Sequence, residues 1–399
     1  MKVEKKRLLI NSTSFPRDLE DSSGNFVRGM VKVLLKKGYS LKLLIPDDKD
    51  EIKLDYFKGD IKVYTVKYAP RRYQTLFYRD GVLVNLKRDP FKIIWLPFFF
   101  FNAYRIIKEI IDEVDVILNH WIFPFGFIVS FFGREKRVVS IVHGSDLRLL
   151  FSIPMGRYIL RKILYSQKII AVNSRLKEEI EKRFHFDRLD IKVIHMGLDK
   201  EEFNNKEISS RDKLMVKKRG KVIIGFIGRL IEEKGVDIVI RAISLLPFKE
   251  KICLKIVGRG PLFKQLVLIS KILNIDTQFL GEIKRGEIKR FLKEIDILVI
   301  PSRESDSSPV VLIEALSLNK IIIASDIEGI KEIGKDFIFY FKREDPLDLA
   351  NLLKEIIIFR RDEIELVKPI GYALINKEIE KYYWDNHIIN FEKVLFEEV

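Results

Sequence analysis

The sequence predicts an α/β chain built as two doubly wound parallel-sheet domains. Its 399 residues match about two domains of ordinary size. Along both halves, apolar runs of four to six residues alternate with stretches of helical period, the pattern of repeated βα units. This rhythm breaks once, between about residues 204 and 220, where polar and basic residues with linker chemistry replace it.

In the first half, Leu8-Leu9-Ile10 reads as the opening strand. Phe26, Met30 and Leu34 follow at helical spacing until Gly38 supplies a stop signal. Leu41–Ile45 is the next strand, and further strands are predicted at Asp115–Leu118, Arg137–Val142, Lys168–Val172 and Lys192–Ile194, with a helix over Arg175–Phe184. After the break, strands are predicted at Val222–Ile227, Ile252–Val257, Phe279-Leu280, Ile297–Ile300 and Ile321–Ala324. The domains are set at 1–203 and 204–382, with a C-terminal helix over about 383–399.

Composition excludes several classes. With 47% hydrophobic residues the chain is not disordered, and with the single cysteine Cys253 inside Ile252-Cys253-Leu254 it is no disulfide scaffold. The charged start Lys2–Arg7 does not read as a secretory signal, and the apolar stretches Ile93–Phe101 and Trp121–Phe132 fall short of a membrane span. The net charge is +15, and it is lopsided: residues 1–200 carry 38 Lys and Arg against 24 Asp and Glu, the rest 34 against 33. A basic half suits nucleic acid, an anionic membrane surface or a phosphorylated substrate, or serves solubility alone.

Doubly wound sheets bind ligands beyond the carboxyl ends of their strands, so the loops after strands carry the chemistry. After Val222–Ile227 comes Gly228-Arg229-Leu230-Ile231-Glu232-Glu233-Lys234-Gly235, where two cations enter a helix and can converge on an anion, or pair locally with the two glutamates. Gly258-Arg259-Gly260-Pro261 lets backbone approach a ligand closely, without the phosphate-loop Gly-Lys-Ser/Thr. Pro301-Ser302 leads into a polar loop with Asp306, Ser307, Ser308, Pro309 and Val310, then a helix carrying Glu314. There the backbone amides and two carboxylates can meet hydroxyl-rich parts of one ligand, or simply cap a helix.

Taken together, Arg229 and Lys234 in their Gly-bounded loop, Gly258-x-Gly260-Pro261, Gly281, Pro301-Ser302 and the acid-x7-Glu motif resemble the C-terminal domain of glycosyltransferase family 4. The first half agrees. Its Ser14-Phe15-Pro16-Arg17 and Asp21–Val27, His120–Gly126, His143-Gly144-Ser145-Asp146, Val172-Asn173-Ser174 and His195–Asp199 match later landmarks in order, and Tyr382-Tyr383-Trp384 with Phe391-Glu392-Lys393 resembles the helix that crosses back onto the first domain.

The resemblance implies the GT-B fold, two Rossmann-like domains facing a central cleft, and a retaining transferase that takes a nucleotide-diphosphate sugar, UDP- or GDP-linked, to a hydroxyl of a glycan or lipid-linked acceptor. Arg229 and Lys234 would hold the donor diphosphate with Gly228, Gly258 and Gly260 close to it. Asp306, Ser307, Ser308, Pro309 and Val310 would hold the sugar or adjacent phosphate, and Glu314 the ribose. His143 would lie at the reacting sugar, Gly24 would bring the first loop to the diphosphate or acceptor, and His120 and Asp146 would contact acceptor. No metal or other cofactor is required in this picture, and neither Asp-x-Asp nor a metal-spaced His/Cys cluster occurs.

Asp306 stands where the family usually has Glu, which bears on the sugar, and the first loop has one glycine where many members have two. The alternatives are an epimerase or sucrose/trehalose-type synthase of the same fold, or a nucleic-acid-binding protein, for which no recognition signature is present. The expected setting is cytoplasmic, at the inner face of a membrane, with Arg71-Arg72, Lys87-Arg88 and Phe91–Phe101 as candidate contacts to anionic lipid.

Overall fold

A computed structural model describes residues 6–54, 57–78, 81–132, 136–184, 190–203, 220–303, 310–359 and 372–396. The chain folds as two compact units, Met1–Gly197 with Trp384–Val399, and Leu198–Tyr383. The chain enters the second unit at Leu198, ahead of the boundary at 203/204 read from the sequence. The reason is packing, since Leu198 and Phe203 are buried in that unit's core beside Tyr382 and Tyr383.

The first unit holds a seven-stranded sheet of β1 (Arg7–Ser12), β2 (Ser40–Pro46), β3 (Ile61–Val66), β4 (Val116–His120), β5 (Arg137–Val142), β6 (Lys168–Ala171) and β7 (Ile191–Val193), in the order β3-β2-β1-β4-β5-β6-β7. All pairings are parallel. Central strands such as Leu8-Leu9-Ile10 are buried on both faces, as parallel sheets covered by helices require. The C-terminal helix Trp384–Phe396 belongs to this unit, with the Trp384 indole seated where a side chain on Gly29 or Gly197 would collide with it.

The second unit holds six parallel strands, β8 (Val222–Ile227), β9 (Ile252–Val257), β10 (Thr277–Gly281), β11 (Ile297–Ile300), β12 (Ile321–Ser325) and β13 (Phe339–Phe341), in the order β10-β9-β8-β11-β12-β13. Cys253 lies buried in β9, and burial pushes its thiol above the usual range.

Two strands were absent from the sequence reading, β3 and β13. Both are sheet edges. In Ile61–Val66 only Val66 is fully buried, so no continuous apolar run marks β3; β13 is only three residues long, although it lies in the apolar run Phe337–Phe341. In both units the strand order reverses direction at one place, between β1 and β4 and between β8 and β11. Ligands of such sheets bind beyond the strand ends at that switch point.

Candidate active site

At the switch point of the first unit, β1 and β4 end in register, Ser12 opposite His120. A polar row crosses the sheet one residue earlier: Asn11 donates to Asn119 at 2.7 Å, and Asn119 to Ser140 at 2.8 Å, all buried. The loop after β1 is tied by Arg17, which pairs with Asp21 at 2.9 Å and Asp50 at 3.1 Å. It ends on Gly24 in the left-handed region at φ 67°, where a Cβ would stand 2.3 Å from the Ser14 carbonyl oxygen. Only glycine fits so close an approach. Gly24 caps helix Asn25–Lys36, whose N-terminus with its partial positive charge opens at the end of β1.

His120 ends β4, and His143 follows β5. The adjacency of these strands brings their rings together, Nδ1 of His120 lying 3.3 Å from Nε2 of His143. One nitrogen must donate and the other accept, so the contact suits two neutral rings. Burial agrees, pushing His120 down to about 3 and His143 well below its ordinary value. Phe26 and Trp121 close over the pair, the Trp121 ring 4.4 Å from that of His143. Trp121 itself takes φ 66°, a conformation that costs a bulky residue about 1–3 kcal/mol and must be held by its surroundings.

Asp146 supplies that hold. Its carboxylate accepts the backbone N–H of Ile122 at 2.8 Å, of Leu147 at 3.0 Å and of His143 at 3.2 Å. Burial raises its pKa to about 6 against the lowering effect of those amides. The carboxylate is thus enclosed and committed to backbone. His120 is fully buried, with its Nδ1 against His143. His143 is the member of the pair with residual exposure.

The second unit's switch point is built from loops pressed together. Gly228 donates to Val257 O at 3.0 Å, Leu230 to Arg259 O at 2.8 Å, and Gly258 to Gly281 O at 2.7 Å. Gly258 takes φ 136°, and a Cβ there would lie 1.8 Å from the Gly228 carbonyl oxygen; one on Gly260 would lie 2.3 Å from that of Leu230. These two glycines are what allow the β8 and β9 loops to touch. Arg229 and Lys234 are half-buried on the first of them, Lys234 closing a 3-10 turn before helix Val236–Ser244.

Arg303, just after β11, fastens that turn. It donates from its backbone to Glu233 O at 2.8 Å, from its guanidinium to Glu232 O at 2.7 Å, and pairs with Asp237 at 2.7 Å. Glu314, on helix Val310–Ser317, is buried against Arg285, whose guanidinium also pairs with Glu202 at 2.8 Å and lies over the Phe203 ring. The sequence reading missed both arginines. Arg285 sits in Lys284-Arg285-Gly286-Glu287, which looks like a solvated helix start, and its partners lie 83 and 29 residues away. Asp306, Ser307, Ser308 and Pro309 lie outside the described residues. Among the described residues, no three His, Cys, Asp or Glu side chains gather as a metal site.

Comparison with known proteins bears on both units. The model for Glycosyltransferase Family 4 matches residues 23–202, and that for Glycosyl transferases group 1 matches residues 209–367. An uncharacterized glycosyltransferase of Methanocaldococcus jannaschii, MJ1178, is 29% identical over 73% of this chain and 79% of its own. The putative teichuronic acid biosynthesis glycosyltransferase TuaC of Bacillus subtilis is 24% identical over 87% of this chain and 88% of its own. Among solved structures, Anabaena HepE in complex with UDP superimposes with a TM-score of 0.69 over 98% of this chain and 99% of its own, at 15% identity. With one family model on each unit and this fold in common, the chain belongs to glycosyltransferase family 4 and has the GT-B fold.

Proposed function

We propose that the chain transfers a hexose from a UDP- or GDP-linked sugar to a hydroxyl of a glycan or lipid-linked acceptor, with retention at the anomeric carbon. The observation that carries this reading is the glycine-braced loop pair at the β8–β11 switch point, with Arg229 and Lys234 on it. Two cations on a rigid, half-buried loop suit a diphosphate leaving group. Charge-assisted hydrogen bonds from them strengthen as negative charge grows on the departing phosphate. That is differential stabilisation of the transition state, the kind that raises turnover.

Glu314 is the ribose acceptor in this scheme, oriented by Arg285. Asp306 to Val310 hold the sugar and its phosphate. In the first unit, a neutral His143 both donates and accepts, which suits a sugar or acceptor hydroxyl and not an anion. The incoming hydroxyl loses its proton to the leaving diphosphate oxygen on the same face of the sugar. The acceptor belongs to surface polysaccharide or glycolipid synthesis, a reading supported by the teichuronic acid pathway in the name of TuaC, and the work is done on the cytoplasmic side of a membrane.

A thermal-shift panel of UDP-, GDP- and ADP-sugars tests the donor. One base class should raise the melting temperature in a concentration-dependent way, because a ligand that binds only the folded state stabilises it by mass action. Absence of any shift across the panel rejects the donor assignment. A donor incubated alone separates a transferase from an epimerase, which would convert it without acceptor.

A further inference from the structure

Helix Leu96–Ile110 in the first unit is apolar on two faces. One packs inward, with Phe99, Ala103 and Ile107 buried. The other faces out: Phe98 and Phe101 are exposed, and the preceding turn adds Phe91, at 82% exposure, and Ile94. The fold does not need this outer face covered.

The apolar surface does not end with that helix. Phe100 touches Phe127 at 6.2 Å between ring centres, Phe127 touches Phe131 at 4.9 Å, and the Lys162 ammonium stands 3.3 Å over the Phe131 ring. Lys162 belongs to helix Gly156–Ser166, which exposes Tyr158 and Tyr165 beside Arg157 and Arg161. That helix, Gly-Arg-Tyr-Ile-Leu-Arg-Lys-Ile-Leu-Tyr-Ser, has three cations and no acid. Residues 87–108 carry five cations and one acid. Two helices distant in sequence therefore form one aromatic surface studded with positive charge.

We propose that this face of the first unit lies flat on an anionic phospholipid bilayer, with Phe91, Ile94, Phe98, Phe101, Phe131 and Tyr158 at the headgroup–acyl boundary and the cations on lipid phosphates. Contiguous exposed apolar surface marks an interaction site, and aromatic rings with Lys and Arg around them are the chemistry of the membrane interface. Charge selects the bilayer over a second copy of this chain, since a two-fold contact of this face with itself would set like charges together. No helix among the described residues is long and apolar enough to span a membrane, so the contact is one of lying on it. The inference concerns where the chain works and does not depend on the donor.

The test is co-sedimentation with phosphatidylcholine vesicles, with and without about one-third phosphatidylglycerol. The protein should pellet with the anionic vesicles, and added salt should weaken this. Phe91→Ser/Phe98→Ser/Phe101→Ser and, separately, Arg157→Glu/Arg161→Glu should each lower partitioning about tenfold, with unchanged melting temperature because all five positions are exposed. The second variant is the decisive one, as it touches only the helix that tertiary structure adds to the surface. Of the three tryptophans, Trp95 lies next to this face, half-buried and stacked on Tyr73, so partial quenching of the wild-type emission by brominated lipid is expected. Failure to pellet with anionic vesicles overturns the proposal. So does binding indifferent to both variants, or a solution dimer that the aromatic variant dissociates.

Discussion

The two switch points solve one structural problem with opposite chemistry. In the first unit, neutral aromatic and imidazole rings are buried together, and a carboxylate, Asp146, holds the backbone by accepting its amides. In the second, charged side chains stand on glycine-rich loops, and an arginine, Arg303, holds the backbone by donating to its carbonyls. The difference teaches which ligand each can serve. Neutral buried rings reward hydroxyls and penalise ions, because an unpaired charge in such a place is expensive. Cations on a braced loop reward a phosphate.

Substitutions can break this contrast or sharpen it. The largest effect is expected from Lys234→Ala, with kcat falling about 10³-fold while donor affinity changes far less, since its interaction grows in the transition state. Steady-state kinetics read with donor binding by calorimetry check it; full turnover would remove Lys234 from the chemistry.

Next comes Arg285→Met, expected to cost about 3 kcal/mol of stability by stranding the buried Glu314 and taking the partner of half-buried Glu202. Urea denaturation measures it. If Arg285 also orients Glu314 toward ribose, the variant loses discrimination between a sugar nucleotide and its 2′-deoxyribose counterpart, which a purely structural role would leave intact.

Asp146→Asn in the first unit should cost less, about 2 kcal/mol, because an amide keeps one acceptor oxygen for the backbone it braces. It should also disturb Trp121, whose indole donates to Ser145 at 3.2 Å, so tryptophan fluorescence should change along with stability.

The last effect is one of slope, and it is smallest near neutral pH. His120 is lowered from 6.5 to about 3 in the folded state, so the unfolded chain binds the extra proton first as pH falls. Stability that is complete above pH 6.5 is then lost through the window down to about 3, at about 1.4 kcal/mol per pH unit for that group. Asp146, raised from 3.8 to about 6, acts in the opposite direction, losing stability as pH rises from about 4 to 6. His120→Gln should remove the first contribution, giving a flatter acid limb in denaturation midpoints taken between pH 4 and 8. A limb unchanged by H120Q would mean that the ring is protonated in the fold.

Much of this was readable in the sequence. The central strands announce themselves because parallel strands buried on both faces are continuous apolar runs, as in Val222–Ile227 and Ile297–Ile300. The edge strand Ile61–Val66 does not, because only Val66 is fully buried, and Phe339–Phe341 is only three residues long, although it lies in the apolar run Phe337–Phe341. The loop residues Arg229, Lys234, Gly258 and Gly260 could be located because they follow strands. Asp146 and His120 could be located too, yet their burial could not, since nothing in Gly144-Ser145-Asp146 says that the carboxylate turns inward.

The sequence by itself determined the fold class, the place of the loops that follow the strands and the excess of positive charge in the first half. Each of these rests on local order along the chain: apolar period, glycine position, composition. Only the tertiary structure decided which charges are spent on structure and which surfaces are left uncovered. Arg285 meets Glu314 and Glu202, and Arg303 meets Asp237, because strands and helices from distant segments are packed side by side. The same packing sets helix Gly156–Ser166 beside Phe131 and gathers part of the first half's +14 on one aromatic face. Pair contacts between segments depend on topology, and a local pattern carries no record of them.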